Sequence, residues 1–408
     1  MDLNPTPQDE AFRQQVRQWL EENLPKKKLE TLEERKEWHR KLYEAGYLGM
    51  GWPKEYGGQN ARPMEQAIVG AEMARVNAPA AVNGLGIGIV GPTIIHHGTE
   101  AQKQRFIKNI LTAEEIWCQL YSEPNAGSDL AGLRTRAELD GDDYVVNGQK
   151  IWTSGGMNAD WGILLARTDP DAPKHQGISC FLLDMHAPGV EVRPIKQISG
   201  SSEFCEVFFT DVRVPAENLV GELNRGWQIA QTTLSYERGG NTLSRVSRQT
   251  AQFDRLLEVA KTLKRNGRPA IEDPIIRQQL GQMYAEIEVL RYATLRLLSR
   301  LEKGLRPGPD SSISKLYYSE LDKRLQEMTQ AILGPYGQLT EGLSPDLSLD
   351  GGEGEGDGGT WAHSFVWSRA GTIYAGSNEI QKNIIGERVL GLPKEVRADR
   401  IALKAGAR

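Results

Sequence analysis

The sequence predicts an α+β multidomain protein in which a helical segment, a β segment and a second helical segment follow one another. Three observations carry that expectation. Apolar residues recur at helical spacing as far as about Trp117, short β-branched and aromatic runs with turn signals fill roughly 119–222, and helical spacing returns after Gly226. The expected division is an all-α domain over 1–118, a β domain over 119–226 and a helical bundle over 227–408.

In the first segment Phe12, Val16, Trp19 and Leu20 fall on one helix face, and Glu33 to Tyr47 has the same texture. GWPKEYGG, Gly51 to Gly58, interrupts it with proline and paired glycines and reads as a loop. In the second, DGDDYVVNGQKIWTSG has a turn at Asp140-Gly141, then short β runs separated by Asn-Gly. WGILLART, GISCFLLDM, VEVRPIKQI and EFCEVFFTDVRV continue the pattern, and strands this short point to an antiparallel barrel or sandwich. In the third, Leu280, Met283, Ile287, Leu290, Leu297 and Leu301 keep the near-heptad spacing of a packed bundle, and another long helix is expected from Ile313 to Leu333. The glycine- and acid-rich stretch at about 341–362 cannot bury a core and reads as a mobile surface loop.

At 408 residues the chain is too long for one hydrophobic core and comfortable for two or three. Its composition, 39% hydrophobic and 25% charged, is that of a globular protein, and a net charge of −5 argues against nucleic acid as the main partner. Lys26-Lys27-Lys28 reads as a solvated helix end. The cysteines, Cys118, Cys180 and Cys205, suggest neither a disulfide framework nor a zinc site and fit a reducing cytosol. MDLNPTPQDEAFRQQ is too polar for a signal peptide, and no apolar run approaches the ~20 residues that span a bilayer. A cytoplasmic location is expected.

Gly86-Ile87-Gly88-Ile89-Val90-Gly91 matches G-x-G-x-x-G, but that fingerprint needs a strand before it, and the preceding residues are helical in pattern. These glycines are expected instead to let a helix or loop pass close to another backbone or to a ligand. His96-His97 lacks a third metal ligand, and no G-x-S-x-G elbow or Cys/His pair is present.

Two stretches of the β segment carry chemistry. CQLYSEPNAGSDL, Cys118 to Leu130, combines a strand end with a turn that offers backbone amides and the Ser122 and Ser128 hydroxyls. QKIWTSGG, Gln149 to Gly156, puts Trp152 two residues from Ser154, on the same side of a strand. Each alone also reads as a strand-end turn or a core tryptophan; together they suit a planar cofactor. Near the end, IYAGSNEIQ contains Asn378, a natural N-cap, and a helix N-terminus there attracts negative charge.

With WPKEYGG, YSEPNAGSDL, VNGQKIWTSGG, FTDVRVPAENLVGELNRGW and YAGSNEIQ in this order, the chain resembles the acyl-CoA dehydrogenase family of flavoenzymes over nearly its whole length. The resemblance implies an N-terminal helical domain, a middle antiparallel β-barrel-like domain and a C-terminal four-helix bundle. It also implies FAD as cofactor and oxidation of the Cα–Cβ bond of an acyl-CoA thioester. A carboxylate then removes the α proton while the β hydrogen leaves as hydride to flavin N5. By this resemblance Gln119, Tyr121, Ser122, Gly127 and Ser128 line the flavin, with Ser128 nearer the substrate. Trp152, Thr153 and Ser154 pack on or hydrogen-bond to the isoalloxazine, and Ser377, Asn378 and Glu379 meet the ADP half. An arginine reaching FAD from a neighbouring subunit corresponds to Arg265 or Arg268, in a stretch that lacks the family's aromatic residue. The family's Q-I-L-G-G stretch appears here as Ala331-Ile332-Leu333-Gly334-Pro335.

Many family members keep the base in the final turn, as Y-E-G; here that slot is Ala375. A minority arrangement supplies it from the first long helix of the bundle, immediately before an arginine, where this chain has Glu237-Arg238. The bland alternative is a solvent-facing helix glutamate. In the functional reading Glu237 takes the α proton, its own backbone N–H helps to stabilise the enolate-like oxygen, and Ser235, Arg238 and Gly376 lie near the substrate. The leading expectation is an active dehydrogenase passing electrons to an electron-transfer flavoprotein, as a homotetramer or homodimer. A non-catalytic half of a hetero-oligomer and an acyl-CoA oxidase compete with it. AVNGLGIGIVGP falls where the family forms its acyl cavity; its glycines leave room for a branched or steroid-type tail, or simply give flexibility.

Overall fold

The computed structural model describes residues 6–239, 242–305, 308–309, 311–339 and 361–394, with side chains at 237–239 and 242–243 outside the description. The N-terminal helices are α1 (Pro7–Asn23), α2 (Leu32–Glu44), α3 (Pro63–Arg75), α4 (Gly91–His97) and α5 (Glu100–Thr112). Local chemistry sets their starts. Thr6 with Asp9, Thr31 with Glu34 and Thr99 with Gln102 form reciprocal capping boxes ahead of α1, α2 and α5. Val16, Leu20, Trp38, Leu42, Met50 and Val69 make this domain's own core. The Gly86–Val90 segment is a π-helical turn running straight into α4, and a side chain at Gly91 would collide with the Trp52 ring.

The β strands are β1 (Trp117–Leu120), β2 (Arg136–Asp140), β3 (Asp143–Ser154), β4 (Trp161–Arg167), β5 (Ile178–Asp184), β6 (Val190–Ile195), β7 (Phe204–Pro215) and β8 (Leu219–Val220). They form one eight-stranded sheet in the order β6-β7-β3-β2-β4-β5-β8, with β1 added on β4. The pairing is mainly antiparallel, but β1 lies parallel to β4, so the chain enters the sheet alongside a strand it has not yet formed. One expectation needs correcting. Asn147-Gly148 does not separate two strands: β3 runs through it, and the irregularity falls on the partner, where Asp211 takes a left-handed φ of 49° and exchanges hydrogen bonds with the Asn147 side chain.

The C-terminal part contains α6 (Gly226–Gly239), α7 (Thr242–Thr262), a small hairpin of β9 (Lys264–Arg265) and β10 (Arg268–Pro269), α8 (Pro274–Leu301), α9 (Ser311–Leu333), α10 (Trp361–Ser368) and α11 (Asn378–Ile384). Leu280, Met283, Ile287 and Leu290 bury the expected face of α8 against Leu321, Leu325 and Met328 of α9. The loop expected at 341–362 lies outside the described residues up to 360; Trp361 and Ala362 belong to α10, whose first residue is buried. No described helix is long and apolar enough to cross a membrane.

Glu72 of α3 clamps the first domain. It is buried and accepts hydrogen bonds from Arg13 (2.9 Å), Arg17 (2.8 Å) and Arg75 (2.7 Å). Burial would raise its pKa, but the bonds from Arg17, Arg75 and Arg13 outweigh it and bring it down to about 2. Its contribution to stability is therefore complete above the ordinary glutamate pKa and is lost as pH falls through about 2. Glu72→Gln is expected to lower unfolding free energy by about 2 kcal/mol at neutral pH, with the difference from the parent shrinking in acid denaturation towards pH ~2.

Candidate functional site

The two cofactor-like motifs meet at the end of β1 and the middle of β3. The Ile151 N–H donates to the Ser122 carbonyl (2.9 Å), and Glu123 and Ala126 exchange backbone hydrogen bonds that close the turn between them. Strand alternation then decides which side chains face inward. Tyr144 and Val146 are buried, and Lys150 keeps their parity, so its ammonium is carried into the interior with no solvent exposure. There it donates to Glu123 Oε1 (2.8 Å) and to the Tyr121 carbonyl (3.1 Å). The Glu123 carboxylate also accepts from the backbone N–H groups of Arg134 (2.6 Å) and Thr135 (2.9 Å), at the far end of the same loop. Burial pushes Lys150 down to about 8, opposed by Glu123. Burial would raise Glu123, but Lys150 and the loop amides hold it below its ordinary value. The pair thus ties both ends of the 121–135 loop to β3.

An extra residue enters β3 between Lys150 and Thr153, and Trp152 occupies it with φ 60°. This changes the expected regular alternation. Lys150 and Thr153 both turn inward, while Trp152 is thrown outward and is 56% exposed, with Ser154 half-buried beyond it. A tryptophan in a left-handed backbone is costly, and one this exposed gives little burial in return. Its ring meets Phe204 edge-on at 6.1 Å, and Phe204 stacks on Trp367 of α10 at 5.7 Å with an interplanar angle of 10°, joining β7 to the helical bundle.

The same two motifs hold polar groups without protein partners. Gln119 Nε2 and Thr153 Oγ1 are buried with no protein hydrogen-bond partner among the described residues. Ser128 is exposed, Ser122 is half-buried, and a side chain at Gly127 would meet nothing within 4 Å. An exposed indole in one motif, with an amide donor, hydroxyls and open loop backbone in the strand and turn bonded to it, fits a planar heterocycle rich in acceptors, as an isoalloxazine is. Tyr121, by contrast, turns away: its ring is buried and its hydroxyl donates to Thr233 of α6 (3.1 Å).

The final turn is built differently from its sequence expectation. Ala375 and Gly376 are consecutive left-handed residues, with φ 53° and 85°. The Gln381 amide donates to the carbonyls of both, and a side chain at Gly376 would strike that amide. Ser377, not Asn378, caps α11, its hydroxyl accepting from the Ile380 N–H (3.4 Å). Asn378 points into the bundle instead, where Oδ1 accepts from Lys315 (3.1 Å) and Ser319 (2.9 Å) and Nδ2 donates to Glu320 (2.7 Å). Tertiary partners win over the local capping preference, and its polar atoms are committed to the protein. Glu379 is exposed.

The remaining candidates lie apart from this cluster. Arg265 and Arg268 flank the Asn266-Gly267 turn at the C-terminal end of α7; Arg265 donates to the Ala331 carbonyl (2.9 Å) and Arg268 is exposed. Ser235 is exposed on α6 and donates to the Thr232 carbonyl (2.7 Å). The side chains of Glu237 and Arg238 lie outside the described residues, although the α6 backbone runs through both. Sequence reasoning missed Glu123, Lys150, Phe204 and Trp367. For Lys150 a signal existed: it continues the inward parity of Tyr144 and Val146.

Family models match the chain in three consecutive pieces: acyl-CoA dehydrogenase N-terminal domain over residues 6–114, middle domain over 118–212 and C-terminal domain over 224–390. Among curated relatives, acyl-CoA dehydrogenase IpdE1 of Mycolicibacterium smegmatis is 41% identical over 410 residues, covering 95% of this chain and 99% of the relative. IpdE1 of Mycobacterium tuberculosis is 39% identical over 402 residues, with the same coverage of 95% and 99%. Among solved structures, the Tcur3481-Tcur3483 steroid ACAD superposes with a TM-score of 0.83 at 31% identity, covering 97% of this chain and 100% of that one. The ChsE4-ChsE5 complex from Mycobacterium tuberculosis gives 0.83 at 33% identity, again with 97% and 100% coverage.

Removing one member of the Glu123–Lys150 pair leaves the other charge buried and uncompensated. Lys150→Met and Glu123→Gln are each expected to lower unfolding free energy by about 3 kcal/mol in urea denaturation. The double variant is expected to lose clearly less than the sum of the two, because no lone buried charge remains.

Proposed function

The chain belongs to the acyl-CoA dehydrogenase family, and on that premise we propose that Glu237 is the base that removes the α proton of the acyl-CoA substrate. It is an FAD-dependent oxidoreductase acting on acyl-CoA. When bound, FAD supplies the acceptor for the β hydride. The observation that carries the assignment of Glu237 is chemical: Ala375 offers no atom that can take a proton, whereas α6, packed on β5 and on the 86–90 turn, carries a glutamate followed by Arg238. A carboxylate in an apolar pocket has its pKa raised towards the range useful for proton abstraction.

In this reading Gln119, Ser122, Gly127 and Ser128 border the flavin ring, Ser154 hydrogen-bonds to it beside the Trp152 indole, and Thr153 contributes through its backbone. The orphaned Gln119 amide supports this. Tyr121 contributes through its backbone. Ser377, Asn378 and Glu379 form the turn beside the ADP half, with Asn378 acting as its internal anchor. Arg265 or Arg268 reaches FAD bound by a neighbouring copy. Ser128, Ser235, Arg238 and Gly376 border the thioester and CoA. Electrons pass to an electron-transfer flavoprotein, and the enzyme works in the cytoplasm.

The substrate we favour is a bulky cyclic or steroid-derived acyl-CoA. Gly84 and Gly88 have nothing within 4 Å of where a Cβ would stand, so the run is open at these two positions, while Gly86 and Gly91 are packed closely. One structural relative is itself a steroid ACAD. Because that relative and the ChsE4-ChsE5 complex each pair two proteins, a hetero-oligomer is the second reading of assembly, beside a homotetramer or homodimer.

Anaerobic mixing with acyl-CoA tests the base. Glu237→Gln is expected to purify with FAD and to bleach it at least about a hundredfold more slowly than the parent; bleaching at the parental rate would remove Glu237 from the mechanism. Across straight, branched and steroid-type acyl-CoAs, the parent is expected to favour the bulky ones, and a preference for short straight chains would contradict the substrate reading.

A further inference from the structure

We propose that the buried hydroxyls of Tyr121, Thr233 and Thr93 are positioning residues that hold the helix of Glu237 in register with the flavin-facing loop. The inference rests on Glu237 being the base. All three residues are buried, and each comes from a different element: Tyr121 follows β1, Thr93 sits on α4 and Thr233 on α6. Tyr121 donates to Thr233 Oγ1 at 3.1 Å, and Thr93 Oγ1 lies 3.1 Å from the same atom. Each threonine also reaches the carbonyl one turn back in its own helix, Thr93 to Ile89 and Thr233 to Ile229, both at 2.8 Å.

Proton accounting makes Thr233 the hub. Its single proton goes to the Ile229 carbonyl or to Thr93, so towards Tyr121 it can only accept. Tyr121 has one hydroxyl proton and spends it on Thr233. The contact is therefore directional, and it is set among apolar side chains such as Ile163, Ile229 and Ala230. Apolar packing resists separation but tolerates sliding; a buried hydroxyl bond fixes an axial position, because slipping leaves polar groups unpaired.

Its location gives the bond a functional consequence. Thr233 stands one helical turn before Glu237 on α6. Tyr121 is adjacent to Ser122, and its carbonyl is held by Lys150. A rigid path therefore runs from the Lys150–Glu123 pair through Tyr121 to the helix of the base. His97 adds a second link between the same helices, its Nε2 lying 3.0 Å from the Thr232 hydroxyl. Proton abstraction and hydride departure happen on opposite sides of one substrate carbon pair, so a shift of the base relative to the flavin loop slows the reaction without changing which groups are present.

Tyr121→Phe removes one oxygen and leaves the ring, so it tests the bond with little risk to folding. In the FAD-loaded enzyme, Tyr121→Phe and Thr233→Val are expected to slow anaerobic flavin reduction about tenfold or more, with FAD content and KM unchanged within about twofold. Thr233→Ser, which keeps the hydroxyl, is expected to retain the parental rate. An α-deuterated acyl-CoA should show a larger isotope effect in Tyr121→Phe than in the parent, because proton abstraction becomes more limiting. Parental reduction rates in both Tyr121→Phe and Thr233→Val, or a loss confined to FAD content or thermal stability, would overturn the proposal. Glu237→Gln, run alongside, separates the two failures: if it reduces flavin normally the base is misassigned, whereas if it is inactive while Tyr121→Phe is normal, only the positioning role falls.

Discussion

The buried bond between Lys150 and Glu123 is the interaction on which the rest of the site depends. Each motif of the cradle is short and rich in turn residues, and neither has a core of its own. What makes them one surface is a buried charged pair, whose members also hold the Tyr121 carbonyl and the Arg134 and Thr135 amides. A buried pair of this kind contributes little net stability over an apolar replacement, but it strongly disfavours any arrangement that separates its members. Its value here is geometric. Once Lys150 is fixed, the extra residue after it sends Trp152 outward and Thr153 inward, and the cradle acquires its exposed ring.

The same logic explains why the chain tolerates local strain. Trp152, Ala375 and Gly376 occupy left-handed backbone, yet only one of them is a glycine. At Ala375 and Gly376 the conformation is imposed by the Gln381 amide, which is buried and donates to both carbonyls. That turn is held from below by its own chain, and its alanine is a spacer in a rigid corner. An acid–base group on α6, as proposed for Glu237, would be held by a helix, which positions a side chain more stiffly than a loop does.

The helix–sheet–helix order, the strand segments and the family motifs were legible in the sequence because they rest on local periodicity and turn chemistry. The points that misled are those where a distant partner overrides a local preference. Asn378 looks like a cap, but Ser319, Lys315 and Glu320 draw it inward and leave the cap to Ser377. Asn147-Gly148 looks like a hairpin turn, but Asp211 on the facing strand takes up the irregularity. The Tyr121 side chain reads as facing the cofactor with its neighbours, but its hydroxyl is claimed by Thr233, more than a hundred residues away. Lys150 was readable from parity alone, yet a lone lysine invites the assumption that it is solvated.

If the Lys150–Glu123 bond organises the site, the cradle is built by the protein before the cofactor arrives. Hydrogen exchange on the enzyme stripped of FAD and then reloaded measures it directly. The amides of 122–135 and 149–154 are expected to be protected already in the stripped protein, with FAD adding little. Rapid exchange through both stretches until FAD is restored would make the cofactor, not the Lys150–Glu123 bond, the element that organises the site.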